Sequence, residues 1–128
     1  MIYLDSSVAL ARLLSEERQP PRNFWEQRIV SSRLLEYEIW NRLNARRLHN
    51  SHGEAARGLL ERIALVELTP VVLARALEPF PVQVRTLDRL HLASIEYLRT
   101  QGQAIALASY DERLLNASRA LGIETIEA

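Results

Sequence analysis

Apolar positions fall along the chain in two kinds of pattern, short unbroken runs and spacings of three and four, and their alternation predicts strands and helices in turn. Ile2, Tyr3 and Leu4 form a first run. Asp5, Ser6 and Ser7 then offer helix-capping chemistry, and Val8, Leu10, Ala11, Leu13 and Leu14 follow with helical spacing. After a break at Gln19, Pro20 and Pro21, a short helix over 23–27 leads to a brief buried strand at Ile29 and Val30, with the next cap at Ser31 and Ser32. Residues 32–49 read as one helix. Its apolar set of Leu34, Leu35, Tyr37, Ile39, Trp40 and Leu43 covers most of the circumference, as expected of a helix buried on several sides. A turn over 50–53, a helix over 54–63, a strand over 65–68 ending at Thr69 and Pro70, and a short helix over 71–76 come next. Beyond an irregular stretch around Pro79 and Pro81, a helix over 87–99 carries Asp88 in its first turn and stops at Gly102. Residues 104–108 are the clearest strand, followed by Ser109, Tyr110 and Asp111, a helix over 112–121 capped by Gly122, and an edge strand over 124–126.

Strands that alternate with helices imply an α/β fold, a mainly parallel sheet covered on both faces and connected by right-handed crossovers. In such sheets ligands bind at the carboxyl ends of the strands. Asp5 and Asp111 each follow a strand and belong at that edge. With 128 residues and no repeat or linker, the chain is expected to form one domain over 1–128.

Composition narrows the chemistry. The 48% hydrophobic and 25% charged content is that of an ordinary globular protein. There is no cysteine, which excludes disulfides, zinc ribbons and thiol nucleophiles. All 16 basic residues are arginine, so lysine-dependent Schiff bases, phosphate-loop lysines and receiver-domain chemistry are excluded as well. No signal peptide or membrane-length apolar run is legible, which makes the cytoplasm the expected location. The net charge of zero predicts little nonspecific nucleic-acid binding.

The acidic residues are uneven, 13 glutamates against three aspartates at positions 5, 88 and 111. Capping accounts for each aspartate alone, because all three fall at helix starts. Their gathering near one sheet edge also fits a carboxylate site for magnesium or manganese, hard cations that take oxygen ligands. Glu38 or Glu36, set among apolar neighbours, could supply a fourth carboxylate or pair with an arginine, and helical spacing does not choose between them. Arg42, with Arg46 and Arg47, and Arg89 and Arg113 beside the later aspartates are candidate phosphate partners or merely solvated side chains. The histidines show no metal spacing, and His91 reads as a packed or hydrogen-bonded residue.

The starting segment MIYLDSSVAL and the later segments SSRLLEYEIWNRL, RTLDRLHLASIEYL and ALASYDERLLNASRALGI, in this order, resemble the PIN-domain ribonucleases, most closely the VapC-type toxins of toxin–antitoxin pairs. The resemblance implies a three-layer α/β/α sandwich and a magnesium- or manganese-dependent endoribonuclease. It assigns the four acids to Asp5, Glu38, Asp88 and Asp111, preferring Glu38 to Glu36. It also gives Ser6 and Ser109 a part in orienting acids or water, places Asn41 along the cleft, and leaves Arg42, Arg89 and Arg113 to hold RNA. A cognate antitoxin that blocks the cleft and a homodimer are implied partners. A housekeeping RNA-processing nuclease and a PIN-like scaffold that binds without cutting are the competing readings.

Overall fold

The computed structural model describes residues 1–126. Its five strands are β1 (Ile2–Leu4), β2 (Ile29–Ser32), β3 (Ala64–Val66), β4 (Ala106–Ala108) and β5 (Glu124–Ile126), in one wholly parallel sheet of order β3-β2-β1-β4-β5. The six α-helices are α1 (Ser6–Leu13), α2 (Arg33–Ala45), α3 (His49–Glu61), α4 (Pro70–Leu77), α5 (Thr86–Thr100) and α6 (Glu112–Ala120), with a 3-10 turn over Arg22–Glu26.

Strand alternation sorts the core into two layers. Ile2, Leu4 and Ala108 face α1, α2 and α3 through Val8, Leu35, Ile39, Leu43 and Leu59. Tyr3, Val30 and Leu107 face the opposite way, against Leu92 and Ile95 of α5 and Leu114 of α6. Helix α4 packs on α5 through Val72, Ala76 and Ala93. The sandwich has three layers, as the resemblance implies.

Both neighbours of β1 are parallel to it. The chain winds outward through β2 and β3 along one side, then crosses to β4 and β5 on the other. The direction of winding reverses between β1 and β4, and that reversal opens a crevice at their carboxyl ends.

Several sequence expectations need correction. The helix over 32–49 ends at Ala45, because Arg47 turns into the left-handed region (φ 57°). There the Arg47 N–H reaches the Asn44 carbonyl and the Leu48 N–H reaches that of Leu43, a left-handed helix stop of the kind usually built on glycine. Gly53, expected in a turn, lies inside α3, where a Cβ would meet the Trp40 ring at 3.3 Å. It permits the close approach of α2 and α3. Nor is α2 buried all round: Leu34, Leu35, Ile39 and Leu43 form one buried stripe, and Tyr37 is 62% exposed. Strand β3 stops at Val66, so Thr69 caps α4 with its hydroxyl and Pro70 takes the first helical position.

Candidate functional site

The crevice beyond β1 and β4 is a cleft of about 620 Å³ lined by Asp5, Glu38, Asp88 and Asp111, together with Ser6, Ser7, Arg42, Arg85 and Tyr110. Each acid arrives from a different element. Asp5 caps α1 directly after β1, Glu38 sits in the second turn of α2, Asp88 in the first turn of α5, and Asp111 caps α6 after β4.

Capping and cleft-lining are not alternatives here, since a carboxylate has two oxygens. Asp5 is buried, and its Oδ2 accepts from the Ser7 hydroxyl (2.6 Å), the Ser109 hydroxyl (2.8 Å) and the Ser7 N–H (3.4 Å). Its Oδ1 stands 4.0 Å from His91 Nε2. Asp111 uses Oδ1 to accept from the Arg113 and Leu114 N–H groups. The remaining oxygen of each is left for the cleft.

Of the two hydroxyls that hold Asp5, one belongs to Ser109 and the other to Ser7, one residue after the position expected. Ser7 also accepts the Tyr110 N–H at 2.9 Å, which ties α1 to the loop after β4. Ser6 lines the cleft but has no side-chain hydrogen bond among the described residues. Ser109 both donates to Asp5 and accepts the Asp111 N–H at 2.9 Å, so it couples the two capping aspartates.

Glu38 and Glu36 part company. Glu38 points to the cleft, where its Oε1 meets His91 Nε2 at 2.5 Å, whereas Glu36 lies 3.7 Å from Arg33 on another side of α2. Asn41 is exposed and does not line the cleft, though Arg42 does. Arg89 is turned away: its guanidinium donates to the carbonyls of Ala76 and Glu78 at 3.1 Å and stacks over Phe80. It secures the end of α4. Arg113 is exposed and outside the cleft lining, and the arginine found there beside Arg42 is Arg85, at the N-cap of α5.

Burial and the neighbouring acids both bear on Asp88. Burial, then the charges of Asp111 and Asp5, with a smaller push from Glu38, raise its pKa to about 6 against partial relief from His91. This is a cluster of oxygen donors short of positive charge, the donor set that a hard divalent cation suits. Atoms of Asp5, Glu38 and His91 also come within 4.8 Å of one another. His91, however, is committed elsewhere. It is fully buried, with Nδ1 2.7 Å from the Tyr3 hydroxyl and Nε2 on Glu38. Burial opposes its charged form, but Tyr3, the hydrogen bond to Glu38 and the charges of Glu38 and Asp5 outweigh that, holding its pKa well above the ordinary value. An imidazole with both nitrogens so engaged has no lone pair for a metal. The oxygen donors that the cleft offers are its four carboxylates. Sequence alone does not mark His91, Tyr3 or Ser7 as part of the site. The available signal was spacing: His91 is one helical turn from Asp88, and Tyr3 two residues before Asp5.

The same chain matches known proteins over nearly its full length. Ribonuclease VapC47 of Mycobacterium tuberculosis (strain CDC 1551 / Oshkosh) is 30% identical over 132 residues, covering 98% of this chain and 95% of the relative. Ribonuclease VapC46 (strain ATCC 25618 / H37Rv) is 33% identical over 129 residues with the same coverage. Ribonuclease VapC35 is 27% identical over 131 residues. The PIN domain family matches residues 2–120. With these matches and a parallel sheet that sets four acids around one crevice, the chain belongs to the PIN domain family.

Proposed function

We propose that this protein is a metal-dependent endoribonuclease of the VapC kind, the toxin of a toxin–antitoxin pair, acting as a single domain. The observation that carries the reading is the cleft itself, where Asp5, Glu38, Asp88 and Asp111 meet at the strand ends. Two relatives of at least 30% identity named as VapC ribonucleases support it.

In this reading the four carboxylates hold magnesium or manganese. When bound, such an ion supplies Lewis acidity toward the phosphate and makes water a competent nucleophile near neutral pH. The chain's own contribution is placement. Ser7 and Ser109 fix Asp5, the backbone of α6 fixes Asp111, and Arg42 and Arg85 at the cleft supply forked donors for the RNA backbone. Hydrolysis would form a bond from water to phosphorus and break the bond to the 3′ oxygen, which takes up a proton, leaving a 3′-hydroxyl and a 5′-phosphate.

A protein partner is supported by exposed apolar side chains. Val71, Leu73 and Leu77 of α4 are 66%, 42% and 86% exposed, and Leu87 at the cleft is 42% exposed. Leu73 and Leu77, one helical turn apart, share a side of α4 that suits the proposed antitoxin or, in a homodimer, a second copy. Among the described residues no helix is long and apolar enough to cross a membrane, and the proposed place of action is the cytoplasm.

The test is cleavage of transfer, ribosomal and messenger RNA by purified protein with magnesium, manganese or chelator, for wild type and Asp111→Asn. Cleavage that needs metal, yields 5′-phosphate ends and is lost in the variant is expected. Cleavage that persists in chelator or in the variant refutes the assignment, and no cleavage of any RNA in the presence of metal favours a binding scaffold.

A further inference from the structure

The buried imidazole described above lies between two acids of the cleft, and its surroundings assign it a task. Tyr3 comes from the central strand, Glu38 from a helix on one face of the sheet, and His91 from a helix on the other. The Tyr3 hydroxyl and His91 Nδ1 are 2.7 Å apart, with the two rings edge to face at 82°. On the far side Nε2 meets Glu38 Oε1 at 2.5 Å. A carboxylate can only accept, so Nε2 donates. The contact therefore spans the sheet at its strand ends and joins the two helical layers.

We propose that His91, braced by Tyr3, is a positioning residue: it holds the Glu38 carboxylate in place beside Asp5, as a strut and not as a metal ligand. Three features support this. Glu38 has no other hydrogen-bond partner among the described residues, whereas three hydrogen bonds fix Asp5 and two fix Asp111. A glutamate has one more rotatable bond than an aspartate, so without an anchor it loses more rotamer freedom on entering a fixed site. The imidazole is itself immobile, fully buried and held at both nitrogens. Partners of metal-binding carboxylates typically govern affinity by about 10- to 100-fold.

The proposal rests on the carboxylate-metal reading of the cleft, so the test separates the two. First, imidazole 15N–1H spectra of metal-free protein should show an Nε2–H protected from exchange that shifts in Glu38→Gln and in Tyr3→Phe. Absence of that signal overturns the strut directly. Second, manganese affinity is measured for wild type, His91→Gln, whose amide N–H can stand in for Nε2, and His91→Asn, which is too short to reach Glu38. The expected result is affinity near wild type for His91→Gln, a loss of about tenfold or more for His91→Asn, and a smaller loss for Tyr3→Phe, which keeps the ring and so the packing. Equal affinity for His91→Asn and wild type overturns the positioning role. Coupling of 14N to bound manganese in the wild-type electron spin echo spectrum overturns it by placing the imidazole on the metal. A wild type that binds no manganese while retaining the protected N–H overturns instead the metal reading of the cleft.

Discussion

Asp88 is the residue on which the acidic cleft weighs most. Its carboxyl group is half-buried and faces three other acids, and its pKa stands at about 6 against an ordinary 3.8. Because folding favours its protonated form, its contribution to stability is complete below about pH 4 and is lost as pH rises through about 6. Asp88→Asn should therefore stabilise metal-free protein by about 1–2 kcal/mol at pH 7.5, less than the shift alone implies because solvent reaches part of the side chain. The advantage should vanish by pH 4 in denaturant titrations. Manganese affinity of the wild type should rise over the same interval, since the ion must displace that proton. Glu38→Gln should abolish cleavage, whereas Glu36→Gln, which only loosens a contact with Arg33, should leave it near wild type. The reverse ranking in a cleavage assay would move the fourth acid.

At the scale of elements, the alternation of strand and helix was legible because apolar runs and helical spacings are local. What escaped were features that depend on a partner distant in sequence. Gly53 resembles a turn until the Trp40 ring is seen against it, and Arg47 ends α2 without the glycine that would announce a left-handed stop. Arg47→Gly should relieve that strain and raise stability by about 0.5–1 kcal/mol, measured by chemical unfolding. The four acids could be placed because three are the only aspartates in the chain and resemblance chose the glutamate, but their supports could not. Ser7 and Tyr110, or Tyr3 and His91, meet across many residues of sequence. Arg89 illustrates the converse, adjacent to an acid in sequence yet spent on the end of α4. Arg89→Ala should lower stability by about 1–2 kcal/mol and leave RNA affinity near wild type, whereas Arg85→Ala should weaken RNA binding with little change in the unfolding midpoint.

For the whole molecule, a cleft that repels its own carboxylates is relieved by any cation it binds, so metal should raise the thermal midpoint. Saturation to about 100 times the dissociation constant corresponds to about 2.7 kcal/mol, and Asp111→Asn should erase most of the rise in a melting experiment with manganese. Leu73 and Leu77, exposed on one side of α4, are where the proposed antitoxin would pack, so Leu77→Glu should weaken its co-elution in gel filtration without altering cleavage. The central place of β1 bears also on how the protein is made. Ile2, Tyr3 and Leu4 are translated long before Ala106–Ala108, yet that strand is one of their two neighbours. Asp5 therefore waits for Ser109 and Asp111 until they too have left the ribosome. A nascent or prematurely terminated chain lacking β4 has no crevice, so the proposed activity is withheld from the translating ribosome until β4 and the start of α6 have emerged.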